Sequence, residues 1–141
     1  MAYLRPVVLL VAVIIVSLMV FARGSGNAAG TASTERGKYI VDGVAKCVEC
    51  HTPRDEDGNL LESEYLRGAP IPVDSPPYPN LHWAAKAPNI AGLPGYTDEE
   101  GVRLLTEGVN RNGSAPNPPM PQFRMTREDA RAVVAYLKSL E

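Results

Sequence analysis

The sequence predicts an all-α fold of few helices and long loops, preceded by an N-terminal hydrophobic helix. Three observations support this fold class. An uncharged apolar run opens the chain, three later stretches combine helix-capping residues with apolar residues at helical spacing, and the segments between them are rich in proline, glycine and asparagine. No parallel-sheet pattern appears. The length of 141 residues allows one compact domain and an appendage.

The N-terminal segment, residues 1–23, is predicted to be a membrane anchor or a signal peptide. The run between Arg5 and Arg23 is uncharged and almost wholly apolar. Secretory signals need about 7–15 apolar residues and membrane spans about 17–25, so this run lies between the two classes. Weak cleavage sites favour an uncleaved anchor, followed by residues 24–33 as a flexible tether rich in glycine, serine and alanine.

The distribution of charge narrows the classes of function. All sixteen acidic residues follow the apolar segment, and the formal net charge is −2. Because no basic stripe is present, nucleic-acid binding has no electrostatic support. The hydrophobic fraction of 45% is too high for a disordered chain.

Residues 34–141 are predicted to form the folded domain. Its first helix is expected to run from Thr34 to Cys50, with Ser33 or Thr34 as the N-cap. Apolar residues recur there at helical intervals: Tyr39, Ile40, Val44 and Val48. Two glycines in this stretch lower its helix propensity, so we expect at least one of them to lie against another element.

The middle of the domain, residues 52–88, is predicted to contain little regular structure. A turn signal at residues 55–59 (DEDGN) and five later prolines interrupt it, and only Leu60 to Leu66 has the composition of a short helix. Loops of this length are uncommon in compact domains unless they are functional.

Two further helices follow. Thr97 and Glu100 form a capping box that opens a helix ending at Gly108, and Thr126 caps the final helix. The intervening residues 110–121 are rich in asparagine, glycine and proline. The final helix carries an apolar face: Ala130, Val133, Val134, Leu137 and Leu140.

Cys47, Cys50 and His51 form a C-x-x-C-H run that contains the only two cysteines of the chain. This run is typical of covalent c-type haem attachment. Cysteines three residues apart lie on nearly the same side of a helical turn, so both thiols can reach the two vinyl groups on one porphyrin edge. The next residue then presents an imidazole to the iron. The sequence therefore predicts one covalent haem c, with His51 as an axial iron ligand.

The run has three other interpretations. A thioredoxin-like redox pair needs a preceding strand in a β-α-β pattern, which is lacking. A zinc site could use Cys47, Cys50, His51 and His82, but adjacent ligands at 50 and 51 are awkward for one tetrahedral ion. A disulfide between the two cysteines would close a trivial loop.

The second axial ligand is predicted to be Met120. It lies in the proline-rich segment 116–121 (PNPPMP), which is stiff and extended and would hold a weak thioether ligand at low entropic cost. Met125 precedes the N-cap Thr126, where a hydrophobic staple residue usually packs, and is a weaker candidate. His82 is a third candidate and fits a surface position better.

Taken together, residues 34–141 resemble a class I cytochrome c, and in particular the bacterial monohaem cytochromes that accompany membrane dehydrogenases. The matching elements are G-K-Y-I at 37–40, C-x-x-C-H-T-P at 47–53, P-N-I-x-G-L at 88–93, P-M-P at 119–121 and A-Y-L-K-S-L at 135–140. The lysine collar of mitochondrial cytochrome c has no counterpart.

The resemblance implies a cytochrome c fold wrapped around one haem. It implies that the backbone of Pro88 accepts a hydrogen bond from the second ring nitrogen of His51, and that Leu93 lines the proximal face. It also implies that the first and last helices cross, with Gly37 meeting Tyr136.

The expected function is one-electron transfer in a membrane-associated respiratory or dehydrogenase chain, not catalysis, because an iron bound by His51 and Met120 has no open position. The expected partners are redox proteins of unknown identity. We expect the domain on the periplasmic side of the bacterial inner membrane, anchored, or soluble if the N-terminal segment is cleaved. The alternatives are a haem sensor or enzyme with a displaceable methionine, and a thiol-disulfide oxidoreductase.

Overall fold

The computed structural model of the protein describes residue 30 and residues 33–140. The predicted anchor or signal, residues 1–23, lies outside the described residues. So does most of the predicted tether, in which only Gly30 and Ser33 are described, both as helical. Within the described part of the chain, no helix is both long and apolar enough to cross a membrane.

The described elements follow one another as short helices separated by loops. Helix α1 covers residues 33–39 and continues into a π-helical turn at Ile40–Val44; α2 is Cys47–His51; a 3-10 turn covers Glu62–Glu64; α3 is Asp98–Glu107; and α4 is Arg127–Lys138. Two short strands, β1 (Ala69–Pro70) and β2 (Lys86–Ala87), pair antiparallel.

The prediction of one continuous helix from Thr34 to Cys50 is wrong. The helix widens at Ile40–Val44, where the N–H of Ala45 donates to the carbonyl of Ile40 (2.7 Å), and it ends at Lys46, whose φ of 56° is left-handed. Glycine and β-branched residues in this turn have low helix propensity, so tertiary contacts decide its form. The expected capping role of Ser33 or Thr34 is also wrong, because both residues are helical.

The two later helices match their predictions. The Thr97 hydroxyl accepts from the N–H of Glu100 (3.2 Å), and the Glu100 carboxylate accepts from the N–H of Thr97 (2.9 Å), which is the predicted capping box. Gly108 ends α3 with a φ of 67°. Thr126 caps α4 by accepting from the N–H of Asp129 (3.1 Å).

The middle segment is irregular, as predicted, but two details differ. Between Leu60 and Leu66 only a 3-10 turn forms, and Leu66 itself has a φ of 59°. The two-residue strands β1 and β2 were not predicted, because ladders this short have no sequence period. Gly68 allows them to approach, since a Cβ there would lie 2.8 Å from the Ala87 carbonyl oxygen.

The core lies between the π-helical turn, α3, α4 and the loop before α3. Buried side chains from all of these contribute to it: Ile40, Val41, Leu93, Val102, Leu105, Val133, Val134 and Leu137. Gly101 lets α3 approach its neighbours closely, because a Cβ there would lie 2.9 Å from both Leu93 and Val134 side-chain atoms.

The contact between α1 and α4 that the resemblance implied is present. A Cβ on Gly37 would lie 2.1 Å from the carbonyl oxygen of Ala132 and 2.6 Å from the Cβ of Tyr136. Only glycine can occupy this position without moving one helix. The other glycine of the stretch, Gly43, is exposed, and its nearest neighbour is the Tyr39 ring at 3.7 Å.

A polar cluster lies beside this crossing. The Tyr65 hydroxyl donates to Asp42 and lies 3.0 Å from the Tyr136 hydroxyl, and Asp42 also pairs with Lys38. Burial and these hydrogen bonds raise the pKa of Tyr65 well above its ordinary value, so the phenol stays protonated. The cluster links α1, the middle segment and α4.

We expect Gly37→Ala to lower the free energy of unfolding by about 1–3 kcal/mol or more, because the added methyl group overlaps the α4 backbone. Gly43→Ala is the matched control. The methyl group of this variant would meet only the Tyr39 ring, at an ordinary contact distance of 3.7 Å. The variant is therefore expected to be neutral or to stabilise by about 0.5–1 kcal/mol. Denaturant unfolding of both variants and the parent checks this, and equal effects at the two positions would contradict the close crossing.

Candidate functional site

A cavity of about 510 Å³ runs into the domain beside α2. All six site residues predicted from the sequence line it: Cys47, Cys50, His51, Pro88, Leu93 and Met120. These residues come from three segments far apart in the chain, so the fold brings them together.

Most of the cavity wall is apolar, built from residues of α3, α4 and the loops. It includes the side chains of Ile71, Ile90, Leu104, Phe123, Val133 and Leu137. Cofactor sites typically have volumes of about 300–1,000 Å³, mostly apolar walls and a few placed polar groups. The size and lining therefore fit a flat apolar cofactor such as haem.

His51 is buried, with 7% of the residue's surface exposed, and its Nδ1 lies 2.8 Å from the carbonyl oxygen of Pro88. A carbonyl can only accept, so Nδ1 carries the proton and Nε2 keeps its lone pair. Burial lowers the pKa of His51, and the bond to Pro88 partly opposes this shift. The result is a neutral imidazole whose ring orientation is fixed, as a metal-binding histidine requires.

Thr52 holds the neighbourhood of this bond, a role that the sequence did not reveal. Its hydroxyl accepts from the buried N–H of Leu66 (3.0 Å), and the Leu66 carbonyl accepts from the N–H groups of Ile90 (2.9 Å) and Ala91 (3.2 Å). The segment that follows Pro88 is thus tied back to α2. A threonine after a C-x-x-C-H run carries no general signal for this contact.

Cys47 and Cys50 form no disulfide with each other, and both line the cavity. Burial raises the pKa of the Cys47 thiol to about 11. A thiol-disulfide oxidoreductase needs the opposite shift, because its attacking cysteine reacts as a thiolate. The geometry therefore disfavours that alternative.

The three candidates for the second axial ligand differ in whether they line the cavity. Met120 lines the cavity, whereas Met125 packs against the core and does not. The N–H of Met125 donates to the carbonyl of Leu105 (2.9 Å), which fits the expected staple position. His82 is exposed and also lies outside the lining.

The zinc alternative finds no matching geometry in the described residues. No three His, Cys, Asp or Glu side chains among residues 30 and 33–140 are grouped to hold a metal ion. The group that the alternative required includes His82, which does not join Cys47 and Cys50 at the cavity.

Comparison with known proteins decides the family. The family model described as Cytochrome c matches residues 34–141. The chain belongs to the cytochrome c family. The resemblance seen in the sequence is thereby confirmed, and with it the interpretation of the domain as an electron-transfer protein that carries covalent haem c rather than as an enzyme.

Several relatives of this cytochrome c domain are described as dehydrogenase subunits. A diheme cytochrome c-type protein of Cereibacter sphaeroides is 36% identical over 110 residues, covering 74% of this chain and 34% of the relative. The fructose dehydrogenase cytochrome subunit of Gluconobacter japonicus is 33% identical over 115 residues (74% and 21%). The gluconate 2-dehydrogenase cytochrome c subunit of Pantoea cypripedii is 29% identical over 116 residues (74% and 25%).

The cytochrome c chain spans about a third or less of the length of these curated relatives. The similarity therefore concerns one cytochrome domain within larger proteins.

Replacing Thr52 by valine is expected to lower the free energy of unfolding by about 1–3 kcal/mol, because the buried N–H of Leu66 loses its acceptor. Thr52→Ser keeps the hydroxyl and should lose less. Denaturant unfolding of the haem-containing protein measures both. A serine variant as unstable as the valine variant would show that packing, not the hydrogen bond, is what Thr52 supplies.

Proposed function

We propose that this domain is a one-electron carrier that holds a single haem c, bound through Cys47 and Cys50 and coordinated by His51 and Met120. The observation that carries the proposal is the convergence of these four side chains on one apolar cavity. When bound, the haem supplies an iron centre that alternates between two oxidation states. The remaining roles belong to residues of the chain.

His51 would supply the proximal ligand with its orientation already set. The bond from Nδ1 to Pro88 fixes the neutral tautomer and makes the imidazole more basic. Leu93, buried beside Pro88 in the cavity wall, would exclude water from this face.

Met120 would supply the second ligand from a loop that other segments hold in place. The carbonyl of Pro118 accepts from the N–H of Ala84 (2.7 Å), and the N–H of Met120 donates to the carbonyl of Asn117 (3.3 Å). Prolines on both sides restrict the backbone further. Held by His51 and Met120, the haem iron would have a raised reduction potential and no open position for a substrate.

The electron donor is proposed to be a dehydrogenase, since relatives of the domain are described as dehydrogenase cytochrome subunits.

We further propose that residues 1–23 anchor the domain on the periplasmic side of the inner membrane. Fractionation of cells that express the full chain tests this location: haem protein in the membrane pellet supports it, and release into the periplasm excludes it.

The single C-x-x-C-H run of residues 34–141 supports the proposal of one haem in this domain. The name of the Cereibacter relative describes two haems in a protein about three times the length of the matched region.

Expression in a host that attaches c-type haem is expected to give a protein whose mass includes one haem after denaturation. Cys50→Ala should leave at most one thioether and lower the yield strongly, since the cofactor fills the cavity. The matched control is Ser114→Ala, an exposed change in a loop away from the lining. Complete loss of haem from the denatured parent on acid–acetone extraction would refute covalent attachment.

Met120→Ala is expected to convert the haem to a high-spin or water-ligated form and to lower its reduction potential, because the thioether ligand is lost. Met125→Leu should keep the parent spectrum and change stability only slightly. The reduced parent should not bind carbon monoxide, whereas reduced Met120→Ala should bind it. Rapid binding by the parent would instead support a sensor or enzyme with a displaceable ligand.

A further inference from the structure

Among residues 30 and 33–140, the charged side chains that line the cavity are all cationic: Lys46, Lys86 and Arg111. No aspartate or glutamate of this part of the chain joins the lining. This contrasts with the whole chain, whose formal net charge is −2. An apolar cavity edged only by positive charge is complementary to a ligand that is apolar over most of its surface and anionic at one edge.

Arg111 is the one of these three whose charged group is held in place. Its Nη1 donates to the carbonyl of Gly95 (2.8 Å), and its guanidinium lies 5.6 Å from the centre of the Tyr96 ring, within the range of a cation–π contact. Its backbone is held as well, because Nη2 of Arg103 donates to the carbonyls of Asn110 (3.1 Å) and Arg111 (3.3 Å).

Most N–H donors of the Arg111 guanidinium remain available for a ligand. Among the described residues, Arg111 forms no ion pair, and the bond to Gly95 is the only hydrogen bond that its side chain makes. Arg111 is exposed and yet lines the cavity, so it lies at the rim. A planar cation fixed in this way is suited to bind a carboxylate through two parallel hydrogen bonds.

Haem presents such carboxylates. Its two propionates lie on the porphyrin edge opposite the two vinyl groups that react with cysteines. We propose that Arg111 binds a haem propionate and keeps it ionised in both oxidation states of the iron. This inference rests on the proposed function, because it requires haem attached at Cys47 and Cys50.

The other two cations fit this role less well. Lys46 directly precedes Cys47 and so lies toward the edge that carries the vinyl groups. Lys86 is exposed, and no hydrogen bond or ion pair fixes its ammonium in the described structure. A point charge on a flexible stem also lacks the paired donors of a guanidinium.

The role makes a measurable difference to the reduction potential. A propionate near the iron is more easily protonated when the iron is reduced, because the ferrous centre carries less positive charge. The potential therefore falls with rising pH between the two pKa values of that carboxyl. A neighbouring guanidinium holds the carboxyl ionised and moves this interval to lower pH.

The experiment measures the potential of the haem-containing protein as a function of pH. Because the thioethers hold the haem covalently, Arg111→Gln is expected to retain it. The potential of this variant should fall with pH in a range where the parent is flat, by up to about 59 mV for each tenfold change in proton concentration. Arg131→Gln, an exposed change of the same charge on α4 outside the lining, should behave as the parent.

Two further variants distinguish the effect of the position of the Arg111 guanidinium from the effect of its charge. Gly95→Ala keeps the guanidinium but displaces it, since a Cβ at Gly95 would lie 2.9 Å from Nη1 of Arg111. It should reproduce part of the pH dependence, whereas Arg111→Lys should fall between the parent and Arg111→Gln. Infrared difference spectra of haem with isotope-labelled propionates should show a protonated carboxyl band in Arg111→Gln only.

The outcomes are distinguishable from failure of the proposed function. Absence of covalent haem in the parent overturns both. Covalent haem with identical pH profiles and infrared spectra for Arg111→Gln and Arg131→Gln overturns this inference alone. If Arg111→Gln then slows electron transfer from an acidic redox protein at low salt, the guanidinium binds a partner carboxylate and not the propionate.

Discussion

The hydrogen bond from His51 to the carbonyl of Pro88 joins two segments that lie 37 residues apart in the chain. The rest of the site depends on this bond, because it sets the direction of the imidazole and the distance between α2 and the loop that contains Pro88. Two further sets of contacts hold this distance. The Thr52 hydroxyl holds the N–H of Leu66, and the Leu66 carbonyl in turn holds the loop. Gly68 packs so tightly that a Cβ there would lie 2.9 Å from the Pro88 carbonyl carbon.

The side of the cavity that bears Met120 is stabilised by other contacts. The loop that bears Met120 contains no helix or strand, and its position comes from prolines and from the bond between Ala84 and Pro118. Ala84 lies two residues before β2, whose other end leads to Pro88. One short stretch of chain thus contacts both the loop that carries the thioether and the loop that orients the imidazole. About five residues, from Ala84 to Pro88, therefore connect the two walls of the cavity.

Local signals in the sequence predicted local structure well. The capping residues Thr97 and Thr126 and the glycine at 108 each act through neighbours a few positions away, so their roles can be inferred without tertiary information. The C-x-x-C-H run and Met120 could be proposed as haem ligands for the same reason, since the chemistry lies in the residue types and their spacing, and their positions at the cavity are consistent with that proposal. The family resemblance added Pro88, Leu93 and the contact of Gly37 with Tyr136.

The features that escaped prediction all depend on distant contacts. The break at Lys46 is decided by packing around a turn of weak propensity. The ladder between β1 and β2 is too short to have a period, and the contact between Thr52 and Leu66 joins residues that only the fold makes neighbours. Arg111 belongs to this group, because nothing in an asparagine-rich loop indicates that its side chain bonds to Gly95 at the rim of a cavity.

The lining of the cavity has a consequence for how the protein is made. The cavity wall and the hydrophobic core share side chains: Leu93, Leu105, Val133, Val134 and Leu137. A haem bound as proposed would pack against the same residues that join α3 to α4, so the cofactor would complete the core. Attachment of haem would then stabilise the folded state directly, and the chain before attachment would be the less stable form.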